Sequence, residues 1–82
     1  MDSIKFVEWL IEEKHMSHRS AKDVLSRCGR VCRMLGVDML NAQSIEELQQ
    51  SEKFIESSMF IKSQLKRAVV LSLEFMSKAK TK

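Results

Sequence analysis

The 82-residue sequence has no proline and no tyrosine, and it has only two glycines and two cysteines. A sheet protein needs turn residues at each chain reversal, so this scarcity argues against an all-β fold and for helices. Without tyrosine, no phenolic nucleophile or phenolic acid can operate. The first residues, Met-Asp-Ser-Ile-Lys, lack a basic region followed by an apolar stretch, so no signal peptide is expected. No apolar run approaches the roughly 20 residues a membrane span needs. The two cysteines, six methionines and missing secretion signal fit a reducing, cytoplasmic setting. A chain this short forms one domain that buries only roughly 60% of its unfolded surface. A small core fits that limit, whereas a core with a deep substrate cleft would be unusual.

What is present is 44% hydrophobic and 30% charged, the balance of a globular chain rather than a disordered one. The net charge is +3, but the signs are segregated. Residues 1–13 carry Lys5 against Asp2, Glu8, Glu12 and Glu13. Residues 14–36 carry six basic residues against Asp23 alone. Residues 37–58 carry Lys53 against five carboxylates, and residues 59–82 carry six basic residues against Glu74. Two basic blocks alternating with two acidic ones predict a polarised surface.

Four helical segments are expected, with residues 1–77 as the domain and 78–82 as a frayed basic tail. The first helix spans about 3–14, capped by Asp2 or Ser3, with Phe6, Val7 and Leu10 buried. His15 and Met16 form the turn. The second spans about 17–35, with Ser17 as N-cap and Gly36 as a left-handed stop. At about 100° per residue, Ala21, Val24, Leu25, Cys28, Val31, Cys32 and Leu35 share its apolar face. A loop follows, with Met39 and Leu40 expected to turn inward. Ser44-Ile45-Glu46-Glu47 reads as a capping box opening a third helix, about 44–55, whose inner face is Ile45, Leu48 and Ile55. Ser57 and Ser58 offer another cap. The fourth helix, about 59–77, has an inner stripe of Ile61, Leu65, Ala68, Val69, Ser72, Phe75 and Met76. Leu71 and Leu73 widen that stripe, while Val70 and partly Phe60 point away.

Cys28 and Cys32, one helical turn apart on the apolar face, read as core residues, because a metal site would need two further ligands nearby. His15 and His18 straddle a helix start. They read as a surface turn, or more sharply as a phosphate contact beside Arg19. The methionines share no helical stripe and read as gap-fillers. No nucleophile has a base and an orienting group, and no glycine-rich loop could cradle a phosphate, so no catalysis and no cofactor is expected. One feature remains. Arg19, Lys22, Ser26, Arg30 and Arg33 recur at steps of 3, 4, 4 and 3 opposite the apolar face. The stripe is about 21 Å long at about 1.5 Å per residue. It reads either as a solvated face or as a phosphate-binding one. Intrahelical salt bridging does not account for it, since only Asp23 interrupts the positive charge. A second basic set, Lys62, Lys66 and Arg67, opens the fourth helix. Together the two sets suit the closely spaced phosphates of a duplex.

Several segments together resemble a known family. These are Phe6-Val7-Glu8-Trp9-Leu10 followed by Met16-Ser17-His18-Arg19-Ser20-Ala21, then Ser44-Ile45-Glu46-Glu47-Leu48. The last runs from Lys62-Ser63-Gln64-Leu65-Lys66-Arg67-Ala68 through Glu74-Phe75-Met76. In order and spacing, over about residues 4–76, they resemble the N-terminal core-binding domain of tyrosine recombinases and phage integrases. The resemblance implies an all-α, compact four-helix SAM-like fold forming one half of a clamp around duplex DNA, with the second and fourth helices approaching it. It implies Arg19, Lys22, Arg30, Lys62 and Lys66 as contacts, and the same faces add His18, Arg33 and Arg67. Arg19 or His18, at a helix N-terminus, could reach a base edge. The family's catalytic arginines, lysine, histidines and tyrosine do not fit in this chain.

The leading expectation is therefore a non-catalytic DNA-binding module, from a recombinase or standing alone. A recombinase catalytic domain or another protein is a further possible partner, and a membrane is not. The rival is a protein-interaction or regulatory module, such as a small accessory protein of a phage or mobile element. It would use Phe60, Val70 and the basic stripe against an acidic partner.

Overall fold

The structure, a computed structural model, describes residues 3–80. The chain is all-α, with no strand among the described residues. Helix α1 is Ser3–Glu13, α2 is His18–Leu35, α3 is Ser44–Gln50, α4 is Glu52–Ile55 and α5 is Met59–Lys80. The long α2 packs against α1, α3 and α5. Phe6, Leu10, Ala21, Val31, Leu48, Leu65, Ala68 and Val69 are almost completely enclosed at that junction.

The boundaries of α2 have local chemical causes. Ser17 is extended (φ −69°, ψ 160°), and its hydroxyl oxygen accepts from the Ser20 N–H at 3.1 Å, satisfying one orphan donor of the first turn. Gly36 ends the helix at φ 68°, a conformation that strains residues with a Cβ. Its N–H donates to the Cys32 carbonyl. His15 ends α1 in the same left-handed region, at φ 55°.

Both cysteines are free. Cys28 is buried and donates its S–H to the Ala68 carbonyl at 3.3 Å, joining α2 to α5. Cys32 is only half-buried, short of the full burial its apolar-face position predicts.

Four expectations are corrected. The third helix is not continuous. Ser51 is extended (φ −70°, ψ 131°) and divides α3 from α4. The break resets the helical phase, so Phe54 is buried while Ile55, expected inside, is 55% exposed. The capping box does not form, because Ser44 lies inside α3 rather than at its N-cap, which is Gln43. The buried Ser44 hydroxyl instead accepts from the Asn41 N–H at 2.8 Å and holds the preceding loop. Met39 is exposed, and Leu40 alone of the pair turns inward. Helix α5 is longer than expected. It runs to Lys80, so residues 78–80 are helical rather than part of a tail. The remaining tail residues 81 and 82, and the proposed cap Asp2, lie outside the described residues.

An aromatic cluster closes the α1–α5 seam. Trp9 lies 6.2 Å from Phe6 and 5.6 Å from Phe75, centroid to centroid. The ammonium groups of Lys14 and Lys78 stand 5.4 and 5.7 Å from the Trp9 ring. Lys14 also pairs with Glu74 at 2.8 Å, and Lys78 with Glu13 at 3.7 Å. The indole N–H is buried with no hydrogen-bond partner among the described residues.

Candidate nucleic-acid interface

The burial of α2 fixes which of its faces is free. Ala21, Val24, Cys28 and Val31 point inward. The opposite side carries Arg19, Lys22, Ser26, Arg30 and Arg33, all exposed. This is the stripe expected from spacing. Among the described residues, no carboxylate forms an ion pair with Arg19, Lys22, Arg27, Arg30, Arg33, Lys53 or Arg67.

Several of the cations border three surface grooves. His18 and Lys22 border one of about 400 Å³ between α1 and α2, with Ile4, Val7, Ile11 and Leu25 as its apolar wall and Glu8 on its rim. Arg27 of α2 and Arg67 of α5 face a second of about 410 Å³, together with Asp23 and Gln64. Arg30 and Arg33 line a third of about 400 Å³ with Met34, Lys53 and Ser57. Arg19, at the start of α2, lines none of the three.

The basic set at the start of α5 is divided between two sides of the helix. Arg67 turns toward α2. Lys62 is half-buried, with its ammonium 5.9 Å from the Phe54 ring of α4. Lys66 is exposed and borders none of the three grooves. Around α5, Lys66 lies about 40° from Lys62 and Arg67 about 100° beyond Lys66, so the two lysines share one side and Arg67 faces another.

Two cations in these grooves escaped sequence reasoning. Arg27 is one of the six basic residues in its block, but it sits off the outward stripe, on the flank facing α5. Lys53 is the lone cation of an acidic segment. Its position depends on the Ser51 break, for which the sequence carries no proline or glycine signal.

The thiols lie on another side of α2, at an apolar cavity of about 380 Å³ lined by Leu25, Cys28, Cys32, Leu40, Ser72 and Met76, among others. Burial pushes the Cys28 thiol from the usual 9.0 up to about 11. Cys32 is raised as well, chiefly by burial and then by Asp38, against the opposing pull of Arg33. Raised thiols are poor nucleophiles at neutral pH. Among the described residues no cluster of three or more His, Cys, Asp or Glu side chains could hold a metal ion, and no helix is long and apolar enough to cross a membrane.

No family model matches the chain, and comparison with curated proteins and with solved structures gives no match.

Proposed function

We propose that the chain is a non-catalytic module that binds duplex DNA through its phosphate backbone, using the outward face of α2 with Arg67 of α5. The observation that carries this reading is the exposed row Arg19, Lys22, Arg30 and Arg33, whose cations have no carboxylate partners among the described residues. Side chains of this kind neutralise phosphates and release counterions, and they orient a protein without reading sequence. The order of the helices and the basic face of α2 also suit one half of a recombinase-type clamp. In that arrangement α5 contributes Arg67 at the α2 seam and Lys62 and Lys66 together on a neighbouring side.

The test is a fluorescence-anisotropy titration with random-sequence duplex at about 50 and about 200 mM salt, where each neutralised phosphate adds about −0.9 to the log–log slope. Replacing Arg19, Lys22 and Arg30 with alanine weakens binding and flattens the slope by about 0.9 for each phosphate no longer neutralised. Equal affinity and slope in parent and variant overturn the proposal. Supercoiled plasmid incubated with the protein is retarded on a gel but stays unnicked. Nicking that follows the protein peak and is abolished in Ser17→Ala overturns the non-catalytic part.

A second reading, a protein-interaction module, is favoured by one observation. Ile55, Met59 and Phe60 crowd the α4–α5 junction at 55, 77 and 70% exposure. Failure of the parent to bind duplex even at low salt favours that reading.

A further inference from the structure

Each of the three grooves holding the basic side chains has a different charge balance. Glu8 shares the groove of Lys22, and Asp23 shares that of Arg27 and Arg67. The third alone is lined by cations with no carboxylate: Arg30, Arg33 and Lys53, with Met34 and Ser57. Like charges carried by three residues of one groove repel one another, and an anion held among them relieves that repulsion. Two of the three are guanidinium groups, whose planar forks match phosphate oxygens, and the third is a point-charge ammonium.

We propose that Arg30, Arg33 and Lys53 form a notch that holds a single phosphodiester group of the duplex backbone, making Lys53 a binding residue. The proposal rests on the DNA reading above and adds a partner to it: α4 grips the same backbone as α2. Arg30 and Arg33 are three residues apart, so they are neighbours on the surface of α2. Lys53 reaches the notch from a separate element because the chain breaks at Ser51. Phe54 then anchors α4 in the core and leaves Lys53 beside it on the surface. The Ser57 hydroxyl donates to the Lys53 carbonyl at 2.7 Å and ties the loop at the mouth of the notch to α4. The acidic neighbours Glu52 and Glu56 do not line the groove. A phosphate held between two elements fixes where the duplex lies across α2, which a single helical stripe does not do, since it can slide along a backbone.

The test combines two titrations of the full chain, followed by resonances of Arg30, Arg33, Lys53 and Ser57. One uses a short random-sequence duplex, the other inorganic phosphate. Both ligands are expected to shift these resonances. Lys53→Ala should weaken duplex binding several-fold and flatten the salt slope by about 0.9. Lys53→Arg should retain both, and Lys53→Glu should weaken binding further. Lys53 is exposed, so circular dichroism of these variants should match the parent. A parent that binds duplex while Lys53→Ala leaves affinity and slope unchanged overturns the notch and spares the DNA reading. A parent that ignores duplex overturns the DNA reading and the phosphodiester with it. In that case saturable phosphate shifts abolished in Lys53→Ala would keep the notch as an anion site. A parent that responds to neither ligand overturns both.

Discussion

The break at Ser51 can be tested by reversing the usual ranking of two adjacent apolar residues. On an unbroken helix from 44 to 55, Ile55 would face the core with Leu48, and Phe54 would stand about 100° outside it. The structure has Phe54 at 5% exposure and Ile55 at 55%. Phe54→Ala should therefore cost about 3–5 kcal/mol, the range for an enclosed phenylalanine. Full burial of an isoleucine side chain is worth about 1.5–3 kcal/mol, so Ile55→Ala, which removes a side chain less than half buried, should cost about 1 kcal/mol or less. The whole chain is stable by about 4–12 kcal/mol at typical values per residue, so Phe54→Ala approaches unfolding. Phe54→Leu keeps most of the volume and should lose about 1 kcal/mol, providing a folded variant to measure. Thermal and urea unfolding followed by far-ultraviolet circular dichroism reads all three, at about 4–8 °C of midpoint per kcal/mol for a domain of this size. If Ile55→Ala costs more than Phe54→Ala, α3 runs through Ser51, and the placement of Lys53 falls with it.

Gly36→Ala should lower stability by about 1–2 kcal/mol, because alanine is strained at φ 68° although open space surrounds the site. His15→Gly, at φ 55°, should leave stability unchanged or raise it; thermal midpoints check both, and a loss at His15→Gly would contradict the local strain argument. At mildly alkaline pH, alkylation should modify the half-buried Cys32 well before the enclosed Cys28, and mass spectrometry of partly labelled protein gives the order. Cys28 also predicts a pH dependence. Its folded pKa of about 11 exceeds the usual 9.0, so the unfolded chain loses this proton first. The contribution is whole below pH 9.0 and is lost as pH rises toward about 11. The loss is roughly 2–3 kcal/mol at about 1.4 kcal/mol per pKa unit. Urea midpoints across that window should fall more steeply for the parent than for Cys28→Ala, and parallel curves would refute the assignment.

Helix α2 was legible because several signals agreed: a serine cap, an apolar face of period 3.6 and a glycine stop. The same period correctly placed the outward cations, since a long helix carries its phase over five turns. Segment 44–55 was misread for the complementary reason. A short segment offers too few apolar positions to fix a phase, and Ser51 leaves the helical conformation without a glycine or proline to mark it. The Ser44–Glu47 pattern matched a capping box by residue type, but the buried Ser44 hydroxyl had a nearer donor in the Asn41 N–H. The candidate interface was visible as far as it lies on one helix. The contributions of Lys53 and Arg27 depend on how helices pack together, which periodicity within one helix does not encode.

The cluster on the α1–α5 seam gives this chain an optical property of its own. Trp9 is its single indole, and two ammonium groups from chain positions 64 residues apart stand 5.4 and 5.7 Å from that ring. Charges this near a chromophore shift its excited state relative to its ground state, so emission wavelength registers their presence. Lys14 stays with Trp9 near the end of α1, while Lys78 arrives only when the far end of α5 lies in place. Loosening that end would change the colour of the emission while the circular dichroism scarcely moved. Since the indole belongs to the α1–α5 seam and the cation row to the outward side of α2, the same emission should stay steady through a DNA titration. The two events can thus be read separately in one cuvette, with no added dye for the seam and a labelled duplex for the other.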